Sequence, residues 1–274
     1  MNSLDHLVAT TRKRVACAMQ MSTLTELEER ARHHSPRGFF RSLYAAGQNS
    51  PLIAELKRAS PSRGVIRNDF AVPVLADQIC RAGATALSVL TEENLFLGSL
   101  DDLESASAAS DVPCLRKDLI VDEFQVIEAR AYRADAVLLI LAALSDSEFR
   151  ALLAMARALE LDALCEVHNE WELDRALAED ANMIGINSRD LCDFSINPDT
   201  FRLIARVPES VMAVAESGIG SGQEIRLLQR RGFRAFLIGQ TLMEAENPGN
   251  RLQQLLAESQ YLPSALVGHM KKGA

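Results

Sequence analysis

From Pro51 onward the chain repeats one pattern eight times, and no other feature restricts its possible folds as much. Short apolar, β-favouring runs occur at Leu52–Leu56, Ala86–Leu90, Val112–Leu115, Ala136–Leu141, Ala163–Val167, Met183–Ile186, Val211–Ala215 and Ala235–Ile238. Helical patterns follow them at Val74–Arg81, Leu100–Ala109, Glu123–Tyr132, Asp146–Leu159, Glu170–Ala178, Asp199–Ala205, Gly222–Arg231 and Leu242–Glu246. Strand starts recur roughly every 20 to 35 residues, enough for one strand and its crossover helix. Eight such units predict an α/β fold, a single (β/α)8 TIM barrel over residues 49–260. A doubly wound open sheet is the competing architecture. Against it, no GxGxxG follows the first strand and the repeat closes at eight. Residues 1–48 are helix-like and polar, with Leu4, Leu7 and Val8 on one face and Leu24, Leu27 and Ala31 on another. They read as an N-terminal helical extension packed on the barrel, with His33 and His34 a solvated pair at a helix end. The tail 261–274 is weakly patterned and reads as frayed.

The first strand breaks its own pattern. Alternate residues of a strand share a face. Leu52, Ala54 and Leu56 therefore share a uniformly apolar face suited to packing against helices, while Ile53, Glu55 and Lys57 point the other way. Buried charges are costly, and departures of this kind concentrate at functional sites; an internal ion pair is the bland alternative. The other strand ends carry similar groups: Thr91 to Phe96 after strand two, Arg116-Lys117-Asp118 after three, Glu166-Val167-His168 after five, and Asn187 to Asp190 after six. Glu216-Ser217-Gly218 and Gly239-Gln240-Thr241 close the set. Barrel enzymes of this class build their sites at that face. Glycines at 218, 220 and 239 sit where strand turns into helix, so backbone N–H groups there suit an anion, with Ser60 and Arg189 nearby. His168 reads as a rim residue beside Glu166.

Composition excludes other classes. A net charge of −8 argues against a nucleic-acid or anionic-membrane surface. No apolar run reaches spanning length and the N-terminus has no secretory apolar core, so a cytoplasmic location is expected. The five cysteines lack any CxxC and read as free thiols. The histidines share no ligand spacing with acidic or thiol groups, so no metal is expected, and no cofactor motif is present.

The stretches IAELKRASPSRG (53–64), LSVLTEENLFLGS (87–99), LRKDLIVDEFQV (115–126), LCEVHNEWEL (164–173), IGINSRDL (184–191), AESGI (215–219) and FLIGQTLM (236–243) together resemble the indole-3-glycerol-phosphate synthase family, in order and on the matching strands. The resemblance implies Lys117 as general acid, Glu166 as general base, and Lys57 as an anion-binding lysine and acid in a final dehydration. It implies Glu55 and Asn187 as positioning groups. Ser60, Pro61, Arg189, Glu216, Ser217, Gly218, Gly239 and Gln240 fall at substrate or phosphate contacts. Leu119 and Leu95 stand where the family favours aromatic residues, which points to an altered apolar slot. Gln240 replaces a frequent Ser or Glu, at a position where the backbone N–H serves. The implied reaction closes an indole ring on a phosphorylated small-molecule substrate with loss of carbon dioxide and water. No cofactor is implied, and the chain is expected to be a monomer or weak homodimer. A phosphoribosylanthranilate isomerase-like barrel is one alternative, but it would lack the ELKRASPS and RKDL segments. A non-catalytic barrel subunit is the other, and it would not retain Glu55, Lys57, Lys117 and Glu166 together.

Overall fold

A computed structural model describes residues 3–47 and 49–260; the tail at 261–274 lies outside the described residues. Eight parallel strands close into a barrel: β1 (Leu52–Leu56), β2 (Ala86–Leu90), β3 (Cys114–Lys117), β4 (Ala136–Ile140), β5 (Asp162–Val167), β6 (Met183–Asn187), β7 (Met212–Glu216) and β8 (Ala235–Ile238). Each strand pairs with its sequence neighbours, and β1 closes on β8 with Leu52 opposite Phe236. The alternation on β1 is as the sequence predicts. Leu52, Ala54 and Leu56 join the layer between strands and helices, and Ile53 joins the cluster inside the barrel. Strand three starts two residues later than expected, which brings Arg116 and Lys117 within it.

Three helices precede the barrel: α1 (Ser3–Met21), α2 (Leu24–Arg32) and α3 (Phe39–Ala46). They run from one end of the barrel to the other. Leu4 and Leu7 of α1 reach the cavity at the mouth. Val15, Leu27 and Ala31 pack on Phe124, Ile127 and Ala131 of α6 (Glu123–Ala131) along the flank. Phe39 and Leu43 of α3 are fully buried in the interior cluster with Met183 and Met212, which start β6 and β7, and so close the opposite end. A capping box, Thr23 with Glu26, starts α2.

Two expectations for this segment are corrected. Leu24 is 50% exposed, so the apolar face of α2 is carried by Leu27 and Ala31. His34 is buried rather than solvated: its Nε2 lies 3.1 Å from Asp135 Oδ1, while His33 is exposed as the helix cap. Asp135 precedes β4 and also accepts from the Arg37 guanidinium at 2.6 Å and the Arg37 and Cys114 N–H groups, each at 2.6 Å. Burial opposes the charge on Asp135, but His34 and Arg37 outweigh it and hold its carboxyl below the usual range.

The outer ring continues with α4 (Val72–Arg81), α5 (Leu100–Ala108), α6, α7 (Asp146–Ala158), α8 (Glu170–Ala178), α9 (Gly222–Arg231), α10 (Gln240–Met243) and α11 (Pro248–Gln260). The helix expected at Asp199–Ala205 is a 3-10 segment, Pro198–Arg206. Buried Phe201 and partly buried Ile204 pack into one core cluster three residues apart, the spacing that eclipses in a 3-10 turn. The last expected helix is also corrected. A four-residue turn, α10, follows β8, and the helix covering the sheet is α11 through Leu252 and Leu255. Its apolar stripe is diluted by Gln, Glu and Ser. None of the five cysteines, all among the described residues, forms a disulfide, and burial pushes the Cys114 and Cys165 thiols up to about 11 and about 12.

Candidate active site

The thirteen residues the resemblance assigns to catalysis or to substrate and phosphate contact all line one cavity of about 480 Å³ at the C-terminal ends of the strands. Its floor is charged. Lys117, the last residue of β3, places Nζ 2.9 Å from Glu166 Oε2 on β5 and 3.2 Å from Glu216 Oε2 on β7. The Glu166 contact is a hydrogen bond; the Glu216 contact is an ion pair without hydrogen-bond alignment, and both Glu216 oxygens are buried without a hydrogen bond. Lys57, just beyond β1, pairs with Glu55 at 2.6 Å. Strand alternation sorts the neighbours. Lys117 points inward, whereas Arg116 and Asp118 point outward into a second network. There Asp118 bridges Arg116 at 3.0 Å and Arg14 of α1 at 2.8 Å, tying the extension to the strand that carries Lys117.

These contacts set the protonation states. Burial lowers the proton affinity of Lys117, but Glu166, Glu216 and Glu55 together outweigh it and hold the ammonium firmly charged. Burial raises Glu166, yet Lys117 and His168 overcome that and keep it ionised. For Glu216 burial dominates and the adjacent Glu166 adds repulsion, so its proton affinity is raised despite Lys117. Two carboxylates sharing one cation thus divide into one ionised and one proton-holding partner.

Two glycines make room for this floor. A Cβ on Gly185, in mid-β6 with ordinary backbone, would stand 3.1 Å from Glu216 Cδ and collide with Oε1. A Cβ on Gly239 would stand 3.0 Å from Glu55 Cβ and Cδ and collide with its Oε1. The bareness of Gly239 therefore serves the Glu55 side chain as well as any anion in the cavity.

Uncharged and basic polar groups also line the cavity. Ser60 is buried with its Oγ unpaired. Arg189 donates Nη1 to Phe194 O at 2.7 Å, and its backbone N–H donates to Asn187 Oδ1 at 3.0 Å, which turns the Asn187 amide. Ser217 and Gly218 both adopt left-handed backbone, φ 66° and 71°, at the end of β7. The glycine-rich cradle is narrower than the sequence suggests. The Gly220 and Ser221 N–H groups donate to Glu224, and that of Gly222 donates to Glu258, so carboxylates of the chain already occupy the start of α9. The Gln240 side chain turns to Glu244 at 2.8 Å, leaving its backbone to the cavity wall.

Sequence reasoning missed several contributors. Leu4 and Leu7 of the extension and Phe194 and Ile196 of the β6 loop complete the apolar wall alongside Leu119. Leu95 packs with the interior cluster instead of lining the cavity. Arg63 adds a cation at the rim. Glu92 organises its own loop by accepting the N–H groups of Asn94, Leu95 and Phe96. Among the described residues, no group of three or more His, Cys, Asp or Glu could hold a metal ion, and no helix is long and apolar enough to cross a membrane.

Comparison with known proteins bears on the same site. Residues 4–255 match the family model for indole-3-glycerol phosphate synthase. An indole-3-glycerol phosphate synthase of Koribacter versatilis is 44% identical over 257 residues, covering 93% of this chain and 99% of that one. Another from Chromobacterium violaceum is 41% identical, covering 92% and 97%. Among solved structures, KGPDC from Streptococcus mutans superposes with a TM-score of 0.59 at 11% identity, covering 76% of this chain and 96% of that one. A 3-hexulose-6-phosphate synthase gives 0.58 at 17%, covering 76% and 99%. At that identity the two structures speak to the barrel alone, whereas the family match spans the extension and all eight strands: this chain belongs to the indole-3-glycerol phosphate synthase family.

Proposed function

We propose that the chain closes the indole ring: it converts 1-(2-carboxyphenylamino)-1-deoxyribulose 5-phosphate to indole-3-glycerol phosphate, releasing carbon dioxide and water as a carboxy-lyase. One observation carries the reading. A buried ammonium, Lys117, stands between two buried carboxylates in a single cavity that Ser60, Arg189 and Gly218 also line.

The chemistry needs such a floor. The ring carbon attacks the ketone, and negative charge develops on the ketone oxygen. Lys117 meets that charge and supplies the proton, a contribution of typically about 10² to 10⁴-fold for a positioned acid. After decarboxylation, Lys57 protonates the departing hydroxyl and Glu166 takes the proton released as the ring becomes aromatic. The arylamine nitrogen supplies the electrons for both steps. Glu55 holds Lys57, and Asn187 and Glu216 orient the substrate hydroxyls. The phosphate lies against Ser60, Arg189, Gly218, Gly239 and the Gln240 backbone, with Pro61 and Ser217 on its flanks. The aromatic ring lies against Leu4, Leu7 and Leu119, the apolar part of the same wall.

Product fluorescence tests this directly. Purified protein should generate the indole signal from the carboxyphenylamino substrate and leave phosphoribosylanthranilate unchanged; no indole signal refutes the reading. Lys117→Ala should lose turnover while substrate still binds, and near-normal turnover in that variant removes Lys117 from the acid role.

A further inference from the structure

The two oxygens of Glu166 face different partners. Oε2 meets Lys117, while Oε1 lies 3.4 Å from His168 Nε2, two residues along the same strand end. Both Oε1 and Nε2 are buried without a formed hydrogen bond, and a small movement that shortens the contact and straightens the N–H···O angle would join them. Catalytic hydrogen bonds commonly stand long in the empty site and tighten on the substrate.

The imidazole is fixed from behind. Its Nδ1 lies 3.0 Å from Glu172 Oε2, on the first turn of α8. Glu172 is itself buried. Its Oε2 accepts the His168 N–H at 2.8 Å and its Oε1 accepts from Asn169 Nδ2 at 2.6 Å. The ring thus spans two carboxylates, Glu166 on β5 and Glu172 on α8. Glu166 in turn faces Lys117 on β3 and Glu216 on β7. Burial disfavours charge on the ring, but the two carboxylates outweigh it and raise its proton affinity to about 10. Both ring nitrogens then carry hydrogen, and Nε2–H lies beside the free oxygen of Glu166 without yet pointing at it.

We propose that His168 is the positioning residue of the proposed base: braced by Glu172, it donates Nε2–H to Glu166 Oε1 and fixes the carboxylate rotamer that presents Oε2 to Lys117 and the substrate. This rests on Glu166 acting as the base. The arrangement parallels the orienting partner found behind many catalytic groups, where a second residue sets the angle of the first. A ring that merely braces the start of α8 through Glu172 would affect folding and leave turnover intact.

The test compares the full-length wild type with His168→Leu, His168→Gln and Glu172→Gln. Indole fluorescence gives kcat and KM across pH, thermal melting monitors folding, and carbon-detected NMR follows the Glu166 carboxyl. In His168→Leu, kcat should fall at least about tenfold with KM within about twofold, and the acid limb of kcat should move to higher pH, because Glu166 loses a neighbouring cation that favours its ionised form. His168→Gln keeps a donor without charge, so it should recover most of kcat but not the position of the acid limb. Glu172→Gln should lower kcat in the same direction by less. Wild-type kcat and acid limb in His168→Leu, or a change confined to KM, overturn the proposal. Should His168→Leu fail to fold, the Glu166 titration in His168→Gln decides: an upward shift supports the contact and no shift overturns it. A wild type without turnover refutes the activity reading. The Glu166 titration still decides in that case whether His168 holds the carboxylate.

Discussion

Gly185→Ala is the most informative single change. Gly185 sits in mid-β6, opposite Glu166 on β5 and Val214 on β7, with ordinary strand backbone. Glycine inside a strand costs roughly 0.5–1 kcal/mol relative to alanine, so backbone considerations favour the substitution. The site does not. The new Cβ would stand 3.1 Å from Glu216 Cδ and overlap Oε1, with Leu164 Cδ1 3.3 Å away on the other side. Restoring ordinary contact means swinging the Glu216 carboxylate by about 1 Å or more, a displacement that costs up to roughly 10²-fold in rate where geometry matters. The moving atom is the end of a flexible side chain, so the fold accommodates it. Stability should stay within about 1 kcal/mol of wild type while kcat falls about 10 to 10²-fold, equivalent to about 1.4–2.7 kcal/mol of transition-state stabilisation. Thermal melts and indole fluorescence measure the two quantities on one preparation. Unchanged kcat in a folded variant would refute the claim that Glu216 must occupy its present place; a fall in kcat matched by an equal collapse in stability would refute the claim that the glycine serves the site rather than the strand.

Arg189→Ala should raise KM by tenfold or more with a smaller effect on kcat, since its guanidinium is proposed to hold the phosphate; unchanged KM places the phosphate elsewhere. Leu7→Asp should also raise KM, because α1 supplies part of the apolar wall, while melting shows the barrel intact. Asp135→Ala should destabilise by about 3 kcal/mol by leaving Arg37 and His34 without their shared carboxylate, read as a lower denaturant midpoint. The contribution of Asp135 also has a pH sign. Its folded proton affinity is depressed, so its stabilisation is complete above the ordinary carboxylate value and disappears as pH falls through the folded value. The wild type should therefore lose stability on acidification more steeply than Asp135→Ala. In kinetics, the acid limb of kcat/KM should lie below the ordinary glutamate value, because Lys117 and His168 hold Glu166 ionised despite burial; a limb at or above that value would show that the two cations do not control it.

The barrel and the inward charges were legible because both rest on period. Eight repeats of strand and helix close one way, and alternation on β1 separates Leu52, Ala54 and Leu56 from Ile53, Glu55 and Lys57 before any coordinate is known. Glu55, Lys57, Lys117, Glu166 and Glu216 stood out as charges within or just past the ends of otherwise apolar strands. What stayed hidden depends on contacts distant in sequence. Nothing in His33-His34 indicates that one ring turns to Asp135, about a hundred residues later. Leu4 and Leu7 look like any amphipathic helix face, and their reach to the cavity depends on where α1 crosses the mouth. Gly185 reads as a weak point in a strand until Glu216 is seen occupying the space a side chain would fill. Gly220, conversely, reads as part of an anion cradle, because the reach of the Glu224 carboxylate back to its N–H is visible only in three dimensions.

The protonation states of the floor raise a question that the geometry also answers. An ammonium held this firmly is a reluctant acid, and a carboxylate held ionised this firmly is a reluctant base, so each alone looks mismatched to its role. They are not alone: the same contact, Lys117 Nζ to Glu166 Oε2 at 2.9 Å, is the principal attraction that favours charge on both. While Lys117 is charged it resists giving its proton to a neutral ketone, so transfer waits until ring attack has made the oxygen an alkoxide of far higher proton affinity. Once the proton leaves, the lysine is neutral, and Glu166 keeps only His168 of the two cations that held it ionised. Burial, until then outweighed, raises its affinity. On the roles proposed for Lys117 and Glu166, the acid step thereby prepares the base for the dehydration that follows. Lys57, the proposed donor to the departing hydroxyl, is paired separately with Glu55 at 2.6 Å and stands outside this exchange. The order of events is thus built into one short contact and the burial around it.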